Sequence, residues 1–286
     1  MVWKWYLPAF MTSAGIGAFL YLLGVFFDWK YREKLEPAAK FAVIFSWMIL
    51  ALAGFFVLLD LGKPAGSETG ILHILNVFRR WPASPLSLET SVLLATLAFG
   101  LLATLGYLAG WLRTWPRYLV EAAGAVPALI LGLGYGGLLY LVAYTVNPVW
   151  HTPVLSLLTL SLTVAAAAAV MNLPNASFFG DLLPRCGSRE ASRILAELTR
   201  WALLAALVLT PVYLLVILES ARFLLGGGSG VKFWTALVLG VIAPLVLGFS
   251  RNNREQGGVL LLQIVLVVLG AYLLNLAVVQ AGQLLI

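Results

Sequence analysis

Eight long apolar segments fill most of this chain and constrain its fold more than any other feature. Each is close to the ~20 residues that an α-helix needs to cross about 30 Å of hydrocarbon. None alternates between polar and apolar residues, as the ~10-residue strands of a membrane β-barrel do. Only 10% of the residues are charged and the mean hydropathy is +0.97, whereas soluble domains carry about 25% charged residues. The sequence therefore predicts an all-α integral membrane protein with eight transmembrane helices, over residues 7–28, 38–59, 87–112, 118–143, 152–173, 194–220, 231–250 and 258–284.

The connections between these helices leave little room for a second domain. The longest, residues 61–86, is too short to fold independently, and its own apolar stretch "ILHILNVF" is expected to return to the membrane surface. The first apolar segment has full spanning length and no small-residue cleavage site follows it, so a cleaved signal peptide is not expected. Residues 1–286 are predicted to form a single transmembrane domain.

The net charge of +6 acts as a topology signal. Twelve of the 18 Lys and Arg residues lie in the connections that follow the odd-numbered helices. Because basic residues concentrate on the cytoplasmic side, these connections are predicted to be cytoplasmic and both termini to lie on the outer, periplasmic side. A nucleic-acid partner is not expected, since that would require clustered basic residues in a soluble domain. Membrane lipid is the expected surrounding.

Three acidic residues are predicted at the outer helix ends: Asp60, Glu89 and Glu219. Ionisable side chains at membrane depth are costly and often face cavities or partners. Each acid is also open to interpretation as a solvated helix end. Glu89 suits a helix start that Ser87 would cap, and Glu219 precedes Arg222 by three residues and has a possible ion-pair partner there.

The predicted cytoplasmic side carries two further acids near helix ends, Glu121 and Asp181. A proton path from them into the bundle is one interpretation. The preferred expectation is that both are solvated loop ends.

The cysteine and histidine content limits the cofactors. With Cys186 alone there is no internal disulfide and no iron–sulfur ligand set. His73 and His151 both fall in predicted outer loops, whereas a membrane haem needs ligands inside the bundle, so neither haem nor a metal is expected in this chain. Each histidine is interpreted as a surface residue or as a proton-exchanging group at an outer site.

The stretch "GLGYGG" satisfies the pattern G-x-G-x-x-G, but that pattern indicates dinucleotide binding only between a strand and a helix. Inside the fourth predicted helix, Gly132 and Gly136 instead favour close packing of a neighbouring helix. Tyr135 lies beside these glycines, where its hydroxyl has room to bond a bound carbonyl group. A packing role for this tyrosine is the alternative.

Four short motifs, in this order, resemble the NrfD/PsrC family, the membrane subunits of polysulfide-reductase-like complexes. They are "LLDLGKP" closing the second helix, "SPLS" opening the third, "GYGGLL" in the fourth and "NPVWHTP" before the fifth. The resemblance covers residues 7 to 180 or so. It implies a multi-pass protein of a bacterial or archaeal cytoplasmic membrane.

The resemblance also implies a function. Members of the family bind a quinone, menaquinone or ubiquinone, without haem or metal in the same chain. They exchange electrons with an outer iron–sulfur, ferredoxin-like subunit that serves a molybdopterin catalytic subunit. By position, Tyr135 matches the tyrosine near the quinone head group and Asp60 matches the acid that ends helix two. Such a chain is a quinol-oxidising or quinone-reducing subunit of a redox complex and is not catalytic alone.

One departure concerns the start of helix one. Some family members offer a histidine and an asparagine to the quinone there, and this sequence has "WKWYLPAF". Trp5 and Tyr6 are therefore candidate pocket residues, although an interfacial aromatic belt also explains them. Partner docking is expected on the long outer loop, which is basic and aromatic at Lys63, Arg79, Arg80 and Trp81.

Two functions from other classes compete with the quinone anchor. Pro127, Pro211 and Pro244 lie inside predicted helices, and broken helices at the midplane are typical of proton-coupled or small-solute transporters. The other alternative is a purely structural anchor with no working pocket.

Overall fold

The computed structural model describes residues 5–61, 85–110, 115–142, 147–175, 189–249 and 257–284, and within these ranges Asp60 and Tyr135 are described through their backbones alone. Most of this chain is helical. The α-helices are Tyr6–Leu61, Pro85–Ala109, Trp115–Val142, Pro153–Met171, Arg189–Val216, Ala221–Leu225, Gly227–Leu237, Ala243–Phe249 and Gly257–Gln283, with a 3-10 turn at Leu173–Asn175 and a π turn at Val238–Ile242.

The prediction of eight membrane-length helices is confirmed. The spans, numbered first to eighth below, are Tyr6–Arg32, Leu35–Leu59, Ser87–Ala109, Pro116–Gly134, Pro153–Met171, Ala191–Val216, Gly227–Phe249 and Gly258–Gln283. They make this a multi-pass membrane protein by length and composition. The assignment of outer and cytoplasmic sides stays a prediction from charge.

The first two spans are joined differently from the prediction. A loop was expected over residues 29–37, but the helical conformation continues through it and only Tyr31, at φ −132° and ψ 31°, departs. The two spans nevertheless pack against each other, because Gly17 faces Leu50 and Gly24 faces Val43. A single non-helical residue within the helix therefore marks the kink at which the chain reverses.

The prolines within the spans do not divide them as the transporter interpretation expects. The helices Trp115–Val142 and Arg189–Val216 continue across Pro127 and Pro211. In the seventh span the π turn Val238–Ile242 directly precedes the helix that contains Pro244. Because proline lacks an N–H group and disturbs the preceding turn, a local π turn accommodates it without breaking the span.

The first and fifth spans form the centre of the bundle. In their most apolar windows 78% and 67% of residues are buried, against 33 to 39% in the other six. The fifth span contacts the helix Tyr6–Leu61 and the fourth, sixth and eighth spans, and its alanine run 165–169 is buried throughout. Without a hydrophobic force between helices in lipid, small side chains favour association by letting backbones approach.

Glycines provide the closest of these approaches. Gly132 lies against the ring of Phe19, so the packing role inferred for this glycine is confirmed. Gly240 and Gly270 bring the backbones of the seventh and eighth spans into direct contact, and a Cβ atom on either would collide with the other backbone. These positions set how the spans cross.

Candidate functional site

At the end of the bundle where the chain begins, Glu89 is a partly buried acid in the first turns of the third span. Its Oε2 atom is buried and has no hydrogen-bond partner among the described residues. Ser87, the predicted cap, lies inside the helix, which extends over Pro85–Ala109. Glu89 therefore lies beyond the first turn of this helix, and its carboxyl group has one buried acceptor atom that is open among the described residues.

Aromatic side chains lie at the same end of the bundle. Trp5 is 53% exposed and contacts Phe56 edge to face, with ring centroids 5.9 Å apart, while Tyr6 is buried. Phe55, beside Phe56, is exposed toward the membrane. The start of the first span and the end of the second thus form an aromatic edge.

The backbone register places Asp60 at this end as well. The second and third spans are antiparallel, with Gly54 facing Leu97 and Gly100 facing Trp47. Continuing that register brings the Asp60 backbone to the level of Glu89. Tyr135 lies in the helix Trp115–Val142, one turn beyond Gly132.

Two other residues predicted for the outer site, Glu219 and His151, have exposed side chains. Glu219 is exposed in the turn between Val216 and Ala221. Arg222 lies over the ring of Phe223, at 4.9 Å from its centroid. His151 is exposed in the turn before the fifth span. His73, Lys63, Arg79, Arg80 and Trp81 lie outside the described residues.

The strongest polar feature lies at the opposite, predicted cytoplasmic, end of the bundle. There Asp28, Arg117 and Glu121 are each at most 3% exposed. Arg117 donates to Asp28 Oδ1 through Nη2 and to Glu121 Oε1 through Nε, the latter at 3.1 Å. Tyr107 donates to Glu121 Oε1 at 2.5 Å, and Trp29 donates to Glu121 Oε2 at 2.7 Å. We call these five residues the charged cluster.

Three hydrogen bonds reach the Glu121 carboxylate, from Trp29, Tyr107 and Arg117. Both carboxylate oxygens accept hydrogen bonds, and one of them faces the guanidinium group of Arg117. Arg117 also lies over the ring of Tyr107, 4.6 Å from its centroid. Paired and hydrogen-bonded in this way, a charge can be retained away from water.

The local sequence makes room for the cluster. Arg117 and Glu121 are four residues apart, so they share one face of the fourth span. Gly124 has no side chain, and the ring of Tyr21 fills the space, with its hydroxyl 3.4 Å from the carbonyl oxygen of Glu121. The first span can therefore approach the fourth closely.

The expectation that Glu121 is a solvated loop end is wrong, since the side chain is fully buried. Asp28 had no predicted role, and Arg117 was counted only as a topology signal. The available signal was the i, i+4 spacing of Arg117 and Glu121 at the start of an apolar helix. That spacing alone does not indicate a buried cluster, because the second carboxylate, Asp28, comes from the first span, far away in the sequence.

Among the residues that the structure describes, no three His, Cys, Asp or Glu side chains gather where they could hold a metal ion. In the charged cluster, Arg117 already occupies the position between the two carboxylates, and its charge opposes a bound cation.

No protein-family model matches the chain, and no curated protein matches it. The eight long apolar helices define its class as a multi-pass α-helical membrane protein.

Proposed function

We propose that this chain is a haem-free membrane subunit that binds a quinone or quinol at its predicted outer end. It would exchange electrons there with an iron–sulfur subunit of a molybdopterin enzyme. The observation that supports this most is Glu89, whose buried Oε2 atom has no partner among the described residues. A buried polar atom without a partner is costly and requires an explanation, of which a bound group is one.

The residues at this end fit the chemistry of a quinone in three respects. A quinone, when bound, carries two electrons and two protons between its oxidised and reduced forms. Glu89 offers an acceptor for a quinol hydroxyl group and a place for its proton. Trp5 and Phe56 offer flat apolar surfaces for a ring. The membrane-facing side of the second span, exposed at Phe55 and Leu58, offers an apolar path for an isoprenoid tail.

Two further residues enter the proposal through the family resemblance. Tyr135 would hold a ring oxygen by a hydrogen bond, and Asp60 would exchange a proton with the outer solvent. The basic and aromatic outer loop, with Lys63, Arg79, Arg80 and Trp81, would dock the iron–sulfur subunit. Glu219 and His151 are exposed, which favours a surface role for both.

The helix geometry favours this proposal over a transporter. Transporter sites of the broken-helix type need unwound backbone near the midplane. The fourth and sixth spans instead continue through Pro127 and Pro211. The polar groups described above lie near the two ends of the spans and not at their middle.

Copurification tests the proposed class directly. The tagged chain, isolated from native membranes in mild detergent, is expected to bring iron and molybdenum with it in fixed proportion. The measurement is metal analysis of the eluate together with mass spectrometry of the accompanying chains. A chain that elutes free of both metals and of partner subunits would contradict the proposal.

Glu89→Gln tests the site within that complex. The amide keeps the shape of the side chain but cannot take up a proton, so quinol oxidation should fall by at least about 100-fold, the lower end of the range for a lost proton-transfer group. The complex should still assemble, because the open acceptor makes no protein hydrogen bond through Oε2. Turnover with a short-chain quinol is the measurement.

Glu197→Gln is the matched control. Glu197 is a carboxylate of the sixth span that pairs with Arg193 at 3.0 Å on the surface, and its loss should leave turnover unchanged. Normal turnover in the Glu89 variant would remove this residue from the site.

A further inference from the structure

The charged cluster contains one atom that its hydrogen bonds do not account for. Asp28 is fully buried, its Oδ1 atom accepts from Arg117, and its Oδ2 atom is buried with no hydrogen-bond partner among the described residues. By contrast, both oxygens of Glu121 are bonded. The two carboxylates of the cluster are therefore not equivalent.

The charges of the cluster do not balance when both acids are ionised. Asp28 and Glu121 bring two negative charges, and Arg117 brings one positive charge. An excess negative charge away from water is strongly disfavoured. Uptake of a single proton would remove the excess charge and give Oδ2 an O–H group.

The polar groups around the open oxygen indicate which ligand it can take. Tyr107, Trp29 and Arg117 direct their donors at Glu121, Asp28 or each other. The open group is an acceptor and needs a donor. A metal cation would face the guanidinium group of Arg117, whereas a proton neutralises one carboxylate and leaves the Arg117 pairs intact.

The surroundings of the cluster determine the side from which a proton arrives. Toward the middle of the membrane an apolar layer closes the cluster. Toward the predicted cytoplasm, Trp29 is 49% exposed and Arg32 donates to the hydroxyl of Tyr118 at 3.2 Å, so the cluster lies directly below the surface. The apolar layer consists of the buried residues Tyr21, Val25, Val43, Ala103 and Ala128.

We propose that Asp28 is a proton-binding site that exchanges with the predicted cytoplasmic side, separate from the proposed quinone site at the other end. One O–H bond forms on Oδ2, one O–H bond of a hydronium ion breaks and leaves a water molecule, and no electron is transferred. Glu121 keeps its hydrogen bonds from Arg117, Tyr107 and Trp29. The charged and titratable groups that act on Asp28 from the surrounding spans are Arg117, Glu121, Tyr107, Arg32 and Glu36.

A carbodiimide tests this on the unmodified chain in native membranes. Dicyclohexylcarbodiimide enters apolar sites and reacts with protonated carboxyl groups. Mass spectrometry should find an adduct on Asp28 that is lost as the pH rises, and none on Glu121. In sealed vesicles the Asp28 adduct should follow the pH of the compartment that faces the Lys30–Arg32 connection. An unlabelled Asp28 at every pH, or labelling of Glu121 in its place, would overturn the proposal.

Infrared difference spectra of the purified chain give a second test. Acidification should produce a carboxylic-acid C=O band that shifts in D2O, and Asp28→Asn should remove it. Glu36→Gln is the control, because Glu36 is a half-exposed acid that pairs with Lys40 at 2.8 Å, and the band should persist in it. A band unchanged in Asp28→Asn would assign the proton elsewhere and contradict the site.

Both measurements need neither quinone nor a partner subunit. Their failure would therefore leave the proposed function untouched, and a failure of Glu89→Gln to affect turnover would leave the Asp28 site untouched. An adduct on Glu89 is recorded separately because it belongs to the other end of the bundle.

Discussion

Arg117→Leu should lower the free energy of unfolding by about 3 to 5 kcal/mol, the cost of breaking a buried ion pair by removing one partner. Leucine fills a similar space but leaves Asp28 and Glu121 buried without a cation. The loss is expected to be among the largest for a single substitution in this chain, because two spans meet through this one guanidinium group. Denaturation in mixed micelles, followed by tryptophan fluorescence, measures it.

Two companion variants separate the loss of charge from the loss of shape. Arg117→Lys keeps the charge but not the forked guanidinium group that reaches both carboxylates. It should therefore lower the free energy of unfolding, but by less than Arg117→Leu does. Adding Asp28→Asn to Arg117→Leu removes one unpaired charge and should recover part of the loss, about 1 to 3 kcal/mol for directly coupled residues. If the effects of Arg117→Leu and Asp28→Asn on the free energy of unfolding simply add, the two side chains do not interact, which would contradict the contact between them.

Arg193→Ala is the matched control for the arginine. Arg193 also pairs with a glutamate four residues on, at 3.0 Å, but its side chain is 74% exposed. Surface pairs of this spacing contribute about 0.3 to 0.5 kcal/mol. A similar loss in Arg117→Leu and Arg193→Ala would show that the charged cluster is accessible to water.

Trp150→Ala should lower the free energy of unfolding by about 3 kcal/mol, at the lower end of the range for buried aromatic residues. The indole ring is 1% exposed, and its Nε1 donates to the Val278 carbonyl oxygen at 2.9 Å. The ring lies directly against Gly282, where no side chain intervenes. Its removal leaves a cavity between the turn that precedes the fifth span and the eighth span, and it removes this side-chain bond to the eighth span.

The neighbouring bonds show why the effect reaches beyond one side chain. Asn147 donates to the Gly282 carbonyl oxygen at 2.7 Å, and Tyr213 donates to the Val149 carbonyl oxygen at 2.8 Å. The turn before the fifth span is thereby held to the sixth and eighth spans. Loosening it should expose His151 and its neighbours to faster hydrogen exchange.

Trp201→Ala is the control for the tryptophan. Trp201 is 64% exposed on the outside of the sixth span, so its loss removes contacts with lipid and few with protein. The unfolding free energy should change little. If Trp150→Ala is equally mild, the turn before the fifth span does not depend on the indole ring.

The two proposed sites assign different tasks to the two ends of one bundle. Glu89 at the predicted outer end would accept protons from quinol, and Asp28 at the predicted cytoplasmic end would bind its own proton. The apolar layer beside the charged cluster separates them. Proton exchange at one end is therefore expected to proceed without exchange at the other.

The class of protein and the number of spans could be predicted from residue order alone. A lipid-spanning helix must satisfy its backbone internally and present an apolar surface over about 20 residues, and both requirements are local. Gly132 could likewise be assigned to packing, because a glycine inside a span has few other uses. The loop expected over residues 29–37 was wrong, since no local signal distinguishes a helical reversal at Tyr31 from an ordinary loop.

The charged cluster could not be predicted in the same way. Asp28, Tyr107 and Glu121 belong to three spans, and each in its own segment resembles a residue at a solvated helix end. Whether a charge near a span end meets water or another charge depends on how the helices pack. The sequence pattern specifies which residues enter the membrane, whereas the approach of the first, third and fourth spans decides which acids share one arginine and which carboxylate oxygen is left to take a proton.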